Sequence, residues 1–200
     1  MLNPLTRKIV NRFILPLLLT IPLMGNSKPL FIGDSLTYPL AVSYQNYAPL
    51  DAKFLESTGL NSKTLLDWQG YINEIDLGHY ETIYIVLGTN DQIQKKDIPA
   101  YQSKAVSFIK KIKRQNKNVV WLLPPTLKNQ HKNALLSNTR AAIKGAAINQ
   151  GISIIDTRKS LGIVYSENIN GVAVRTRDGI HLTPKGADLV IRDLVRLREI

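Results

Sequence analysis

Short apolar runs alternate along the chain with longer segments of helical periodicity. Five runs have the length and composition of strands, at 30–32, 52–55, 82–87, 118–123 and 152–155. The third is almost continuously apolar, which indicates a strand buried on both faces. Helices are predicted at about 36–47, 63–75, 97–112, 132–150 and 184–198, and an irregular loop at 160–177. Alternation of this kind predicts a parallel sheet with helices on both faces.

Small polar residues follow the first three predicted strands. Ser35 ends the first turn, Gly33-Asp34-Ser35, while Ser57-Thr58-Gly59 and Gly88-Thr89-Asn90-Asp91 follow the next two strands. Parallel strands present their carboxyl ends at one edge of the sheet, where α/β proteins bind ligands, so these turns are expected to meet. Ser35 is therefore a candidate nucleophile. The backbone N–H groups of Ser35 and Gly59 and the side-chain amide of Asn90 are candidate oxyanion donors.

The chain has three histidines that could act as the base for Ser35. His79 precedes a predicted strand and is expected at the opposite end of the sheet, whereas His131 lies in a polar loop or a first helical turn. His181 lies on the segment that leads into the last helix, three residues after Asp178. This spacing allows the carboxylate to bind one ring nitrogen while the other faces the serine.

Four short motifs follow one another along the chain: Gly33-Asp34-Ser35-Leu36, Gly59, Gly88-Thr89-Asn90-Asp91 and Asp178-Gly179-Ile180-His181. In this order and spacing the chain resembles the SGNH (GDSL-type) hydrolase family from residue 31 to the last helix. The resemblance implies a flavodoxin-like, three-layer α/β/α sandwich around a five-stranded parallel sheet. It also implies ester hydrolysis by a serine, with no metal and no cofactor.

The resemblance gives each motif residue a role. Ser35 is expected to be the nucleophile, and Asp178 and His181 are expected to complete a catalytic triad with it. The oxyanion hole would consist of Ser35, Gly59 and Asn90. The motifs contain no departure that would suggest an inactive site.

Additional motifs narrow the resemblance. Thr58-Gly59-Leu60, Asp67-Trp68, Pro124-Pro125 and the stretch 177–183 are similar to those of an exported bacterial branch often linked with acylation of envelope polysaccharides. The expected substrate is a small acyl ester, such as an O-acetyl group, on a carbohydrate. Candidate substrate-binding residues are Tyr38, Trp68, Asp91 and Gln92, although core packing is the favoured role of Trp68 and a structural role that of Asp91.

Other activities stay open on the sequence alone. An O-acyltransferase would use the same triad with a glycan hydroxyl in place of water. A lysophospholipase or thioesterase would differ in the shape of its groove. An exported glycan-binding or assembly factor would need no catalysis, and the complete triad argues against it.

The N-terminal residues have the pattern of a secretory signal. Arg7, Lys8 and Arg12 precede an apolar run at 13–24, and Gly25-Asn26-Ser27 follows it. The run is shorter than the roughly 20 residues that a membrane span needs. Residues 1–27 are therefore expected to be a signal peptide or a retained inner-membrane anchor, and residues 28–200 a periplasmic or secreted hydrolase domain.

The chain has no cysteine and a formal net charge of +11. Disulfides and thiolate metal sites are thereby excluded. Five basic residues lie close together, namely Lys110, Lys111, Lys113, Arg114 and Lys117. They are expected to form a solvated helix face, with electrostatic association with anionic envelope components as the alternative. An exported protein has little contact with nucleic acid, so no such partner is expected, and the chain is expected to be a monomer.

Overall fold

The computed structural model describes residues 27–61 and 65–197, which form a parallel sheet between two layers of helices. The strands are β1 (Leu30–Gly33), β2 (Asp51–Phe54), β3 (Ile83–Val86), β4 (Val119–Leu123) and β5 (Ser153–Asp156). They run parallel in the order β2-β1-β3-β4-β5, which is the flavodoxin order. The predicted fold class is confirmed.

Helices cover both faces of this sheet. They are α1 (Thr37–Tyr44), α2 (Trp68–Tyr71), α3 (Ile98–Lys113), α4 (Gln130–Gln150), α5 (Arg158–Leu161) and α6 (Pro184–Arg196). Leu30 and Ile32 of β1 face the core formed with α2, α3 and α4, while Phe31 faces the core formed with α1, α5 and α6. The central strands β1 and β3 are buried along their whole length, as their apolar runs predict.

Two helix boundaries follow the chemistry of single residues. Pro184 is the first residue of α6, and Thr183 before it accepts a hydrogen bond from the Gly186 N–H at 3.1 Å. Gly151 ends α4 in the left-handed conformation, with φ of 60°. Because α6 begins at Pro184, the segment that holds Asp178 and His181 is fixed at its C-terminal end.

The predicted helix at 63–75 is too long, because residues 65–67 and Ile75 are not helical. The structure has only the four residues of α2 and a 3₁₀ turn at Ile72–Glu74, and residues 62–64 lie outside the described part. Asp67 caps α2 by accepting the Gln69 N–H at 3.1 Å, so the helix begins after it. Trp68 is 1% exposed and inserts into the core.

The predicted loop at 160–177 contains more structure than expected. It begins with the end of α5 and includes an antiparallel pair, β6 (Asn168–Ile169) and β7 (Val172–Ala173). Asn170 and Gly171 connect these strands with φ of 50° and 79°. Asn-Gly is a strong signal for such a two-residue turn.

The expectations for the N-terminus concern residues 1–26 almost entirely, which lie outside the described part of the chain. Within residues 27–61 and 65–197, no helix combines the length and apolarity that a bilayer crossing requires. Three residues of the basic cluster, Lys110, Lys111 and Lys113, lie in the last turn of α3. Their positive charges interact favourably with the negative end of the helix dipole.

Candidate active site

Ser35 lies at the carboxyl edge of the sheet, between β1 and α1. Gly33, two residues earlier, pairs with Phe54 of β2 on one side and with Val86 of β3 on the other. The turns that follow β2 and β3 therefore flank the serine. The turns after β1, β2 and β3 therefore meet at one edge of the sheet, as the sequence predicted.

Ser35, His181 and Asp178 form a continuous hydrogen-bonded chain. The distance from His181 Nε2 to Ser35 Oγ is 2.9 Å, and that from His181 Nδ1 to Asp178 Oδ2 is 2.7 Å. With Nδ1 protonated and held by the carboxylate, Nε2 is the nitrogen that accepts a proton from the serine. The structure thus brings together the three residues predicted for the triad.

Asp178 is the acid of this chain, and its surroundings keep it ionised. Its Oδ1 accepts the N–H groups of Ile180 and His181 at 2.8 and 3.0 Å and the Thr176 hydroxyl at 2.7 Å. Partial burial raises the pKa of Asp178, but the hydrogen bonds from His181, Ile180 and Thr176 lower it well below its usual range. The carboxylate can therefore stabilise a protonated imidazole.

Two of the three predicted oxyanion donors, the Asn90 amide and the Gly59 N–H, lie on opposite sides of the Thr58–Gly59 peptide. Asn90 donates its Nδ2 to the carbonyl oxygen of Thr58 at 2.7 Å. The N–H of this trans peptide belongs to Gly59 and points away from that carbonyl. Among the described residues, the backbone N–H groups of Ser35 and Gly59 have no protein acceptor. These donors are therefore free to bind a ligand oxygen.

The family model described as "Protein of unknown function (DUF459)" matches residues 28–197. The chain belongs to this family. No curated protein matches the sequence significantly.

Solved structures show which fold this DUF459 member has. A member of the lipolytic protein G-D-S-L family from Veillonella parvula superposes with a TM-score of 0.66 at 14% identity, covering 86% of this chain and 97% of that one. An acetylxylan esterase from Geobacillus stearothermophilus gives 0.62 at 16% identity, with coverages of 86% and 93%. A lipase/acylhydrolase from Enterococcus faecalis gives 0.59 at 14% identity, with coverages of 85% and 94%. The resemblance to the SGNH (GDSL-type) family is confirmed at the level of the fold.

An open groove of about 560 Å³ starts at Ser35 and His181 of the DUF459 chain. Tyr38 lines it, is 59% exposed, and lies with its ring centroid 5.7 Å from that of Phe54. The other lining residues come mainly from α1 and from the start of α6. Tyr38 is thus placed where a substrate would pass, and its binding role stays a prediction.

A second cavity, of about 10 Å³, lies beside Leu36 and Leu182 and is bordered by Pro124 and Pro125. Its volume corresponds to about one water molecule. A long acyl chain does not fit there and would have to lie in the open groove.

The remaining candidate substrate-binding residues lie elsewhere. Trp68 is buried in the core and donates its Nε1 to Thr58 Oγ1 at 3.1 Å, so it presents no free face to a sugar. Asp91 is 4% exposed and accepts hydrogen bonds from the N–H groups of Leu60 and Asn61 and from the Tyr101 hydroxyl, which agrees with the structural role favoured for it. Gln92 is half-buried and donates to the carbonyl of Thr89 at 3.4 Å.

Asp34, which directly precedes Ser35, is fully buried. Its Oδ1 accepts the Leu36 N–H at 3.0 Å, while Oδ2 has no hydrogen-bond partner. Burial and, to a smaller extent, the neighbouring Asp91 raise the pKa of Asp34 to about 7. Asp34 therefore holds the nucleophile turn through the Leu36 N–H and is shielded from solvent.

Two buried arginines fix the loops around the site, and sequence reasoning missed both. Arg175 donates to the carbonyls of Thr126 and Ile180 at 3.0 and 3.3 Å. Arg140 donates to those of Pro124 and Pro125 at 3.3 and 3.1 Å. Burial lowers the pKa of each guanidinium to about 10. Neither residue belongs to a motif, because the carbonyls they bind come from distant segments.

The other two histidines do not contribute to the site. His79 is exposed and pairs with Asp76 at 3.4 Å beyond the opposite edge of the sheet. His131 is exposed in the first turn of α4. Among the described residues, no group of three or more histidine and acidic side chains is arranged to hold a metal ion.

Proposed function

We propose that the chain is a serine esterase whose nucleophile is Ser35. The observation that carries the proposal is the hydrogen-bonded chain from Ser35 Oγ through His181 to the ionised Asp178. The three superposed proteins, named as a lipolytic protein, an acetylxylan esterase and a lipase/acylhydrolase, support the same broad class of hydrolases.

The chemistry proceeds in two half-reactions. His181 Nε2 takes the proton of Ser35 Oγ as that oxygen attacks the ester carbonyl. The N–H groups of Ser35 and Gly59 bind the oxyanion, while the Asn90 amide holds the Thr58–Gly59 peptide by donating to the Thr58 carbonyl. The intermediate collapses to an acyl-enzyme, and the alcohol leaves with the proton from His181. Water then attacks the acyl-enzyme by the same route and releases the acid.

The substrate is proposed to be a small acyl ester, such as an O-acetyl group, on an envelope carbohydrate. The cavity of about 10 Å³ beside Leu36 and Leu182 offers no enclosed space to a long acyl chain. The open groove leaves room for a bulky alcohol part, and the exposed ring of Tyr38 is a suitable platform for a sugar. Periplasmic or secreted location, and attraction of the basic surface to anionic envelope components, belong to the same proposal.

An assay of the full chain tests this function. Wild-type protein and Ser35→Ala are compared on p-nitrophenyl acetate and on longer p-nitrophenyl esters, with and without glycan acceptors. Ser160→Ala is the matched control, because its hydroxyl likewise makes a side-chain hydrogen bond, to Asp193 Oδ2 at 2.6 Å, but lies on α5 and contacts no histidine. We expect activity that is highest on the acetyl ester, is lost in Ser35→Ala and is retained in the control.

Three results would change the proposal. Equal activity of wild-type protein and Ser35→Ala on every ester would refute the assignment of the nucleophile. Acyl transfer to an added glycan that exceeds hydrolysis would replace the esterase by an O-acyltransferase, and a long-chain optimum would favour a lysophospholipase.

A further inference from the structure

Asp91 holds the backbone directly after Gly59. Its Oδ2 accepts the Leu60 N–H at 2.7 Å, and its Oδ1 accepts the Asn61 N–H at 2.9 Å. The buried hydroxyl of Tyr101 also donates to Oδ2, at 2.7 Å. A buried carboxylate with three donors is well satisfied, so it forms a rigid support for the loop that follows β2.

The same carboxylate occupies the space where a side chain at position 59 would stand. A Cβ on Gly59 would lie 2.3 Å from Asp91 Oδ1 and 2.7 Å from Asp91 Cγ. Position 59 must therefore be glycine, because any side chain there would overlap Asp91. This requirement is separate from the space that a ligand needs near Gly59.

Asn90 and Asp91, which are neighbours in one turn, form hydrogen bonds on both sides of the Thr58–Gly59 peptide. Asn90 binds the Thr58 carbonyl at 2.7 Å, and Asp91 binds the two amides after Gly59. The peptide thus cannot rotate without breaking hydrogen bonds on either side. Its free N–H is left pointing in a fixed direction.

The surroundings of Asp91 suit an acceptor of hydrogen bonds. Burial raises the pKa of Asp91, while Tyr101 and the amides of Asn61 and Leu60 oppose that rise. An asparagine of the same shape would place an NH₂ group against an N–H or O–H donor, because all three partners of the carboxylate donate. Asp91→Asn is therefore a change of chemistry with little change of volume.

We propose that Asp91 is a positioning residue that aims the Gly59 N–H at the carbonyl oxygen of the ester. The inference rests on the esterase function proposed above, and Asp91 itself touches no substrate. Misplacement of one oxyanion donor weakens binding of the transition state more than binding of the ester. Asp91→Asn should therefore lower kcat about 10- to 100-fold while KM stays within about twofold.

The test measures kcat and KM for p-nitrophenyl acetate with the full chain and three variants. Asp91→Asn is compared with Tyr101→Phe, which removes one donor to the carboxylate and should lower kcat about 3- to 10-fold. Asn116→Ala is the control for stability alone, because Asn116 is buried and donates to Leu77 and Tyr80 at 3.0 and 2.7 Å at the opposite end of the sheet. Its kcat should equal that of the wild type.

A second readout follows the Gly59 amide by NMR after Ser35 is labelled with a phosphonate, whose oxygen occupies the oxyanion position. The amide proton should shift downfield in wild-type protein and in Asn116→Ala, and should shift less than half as far in Asp91→Asn. If Asp91→Asn does not fold, Tyr101→Phe decides the question with both readouts.

Each outcome has one meaning. Wild-type kcat in Asp91→Asn and Tyr101→Phe, or an unchanged Gly59 shift in them, would overturn the positioning role while the esterase proposal stands. A wild-type chain that neither hydrolyses any ester nor reacts with the phosphonate would overturn the esterase function, and the positioning role with it.

Discussion

The carboxylates on the two sides of Ser35 have opposite surroundings. On the histidine side, the Asp178 side chain is 47% exposed and its pKa is lowered. On the oxyanion side, Asp34 and Asp91 are buried and their pKa values are raised. All three acids accept backbone N–H groups, but only Asp178, which is ionised and partly exposed, also binds the imidazole of His181. The same side chain therefore serves catalysis or architecture according to its burial.

The largest effect is expected from a substitution on the histidine side of Ser35. Asp178→Asn keeps the shape of the acid but presents an amide to His181, so the imidazole is no longer held in the right tautomer and its charge is not balanced. We expect kcat for p-nitrophenyl acetate to fall about 10³- to 10⁴-fold, by analogy with the serine protease triad. Asp156→Asn is the control, because Asp156 also has a lowered pKa but binds Arg158 on the outer part of the sheet. Similar kcat values in both variants would contradict the triad.

The next effect concerns stability on the oxyanion side. The pKa of Asp34 rises from 3.8 to about 7 on folding, so the folded chain binds a proton that the unfolded chain releases. Stability should therefore fall as the pH rises from about 4 to about 7, by up to about 4 kcal/mol. Asp34→Asn stays neutral and should remove this part of the slope, as measured by urea unfolding between pH 4 and pH 8.

The contribution of Asp178 to stability depends on pH in the opposite direction to that of Asp34. Its folded-state pKa is lowered, so its contribution to stability is present above the unfolded value and is lost as the pH falls below about 4. Asp178→Asn should lower stability by a roughly constant amount above about pH 4, and should change the slope of the stability curve only in the acidic range. Parallel curves for wild-type protein and Asp34→Asn from pH 4 to pH 7 would show that Asp34 does not titrate there.

A smaller effect is expected from the loop that carries the triad. Gly179 has φ of 73°, and a Cβ there would lie 2.4 Å from the Cβ of Lys128. Gly179→Ala should cost about 2–4 kcal/mol of stability and reduce activity, because both strain and overlap displace His181. Gly171 has φ of 79° with nothing within 4 Å, so Gly171→Ala isolates the strain, at about 1 kcal/mol. Equal losses in unfolding free energy would show that the contact with Lys128 is unimportant.

The sequence predicts most of the fold because the strands are short apolar runs and the motifs follow them directly. The hydrogen bonds between Ser35, His181 and Asp178 could be anticipated for the same reason, since the motifs specify which residues meet. The helix predicted at 63–75 is too long because the side chain of Asp67 caps α2, a hydrogen bond that the periodicity of apolar residues does not show. The roles of Arg175 and Asp91 depend on loops that meet only in three dimensions.

The most direct measurement is labelling of the full chain with a fluorophosphonate, followed by mass spectrometry of its peptides. We predict one adduct, on Ser35, which forms at least 100-fold more slowly in His181→Ala and not at all in Ser35→Ala. An adduct on another serine, or equally fast labelling of Ser35 without His181, would contradict the proposed serine esterase.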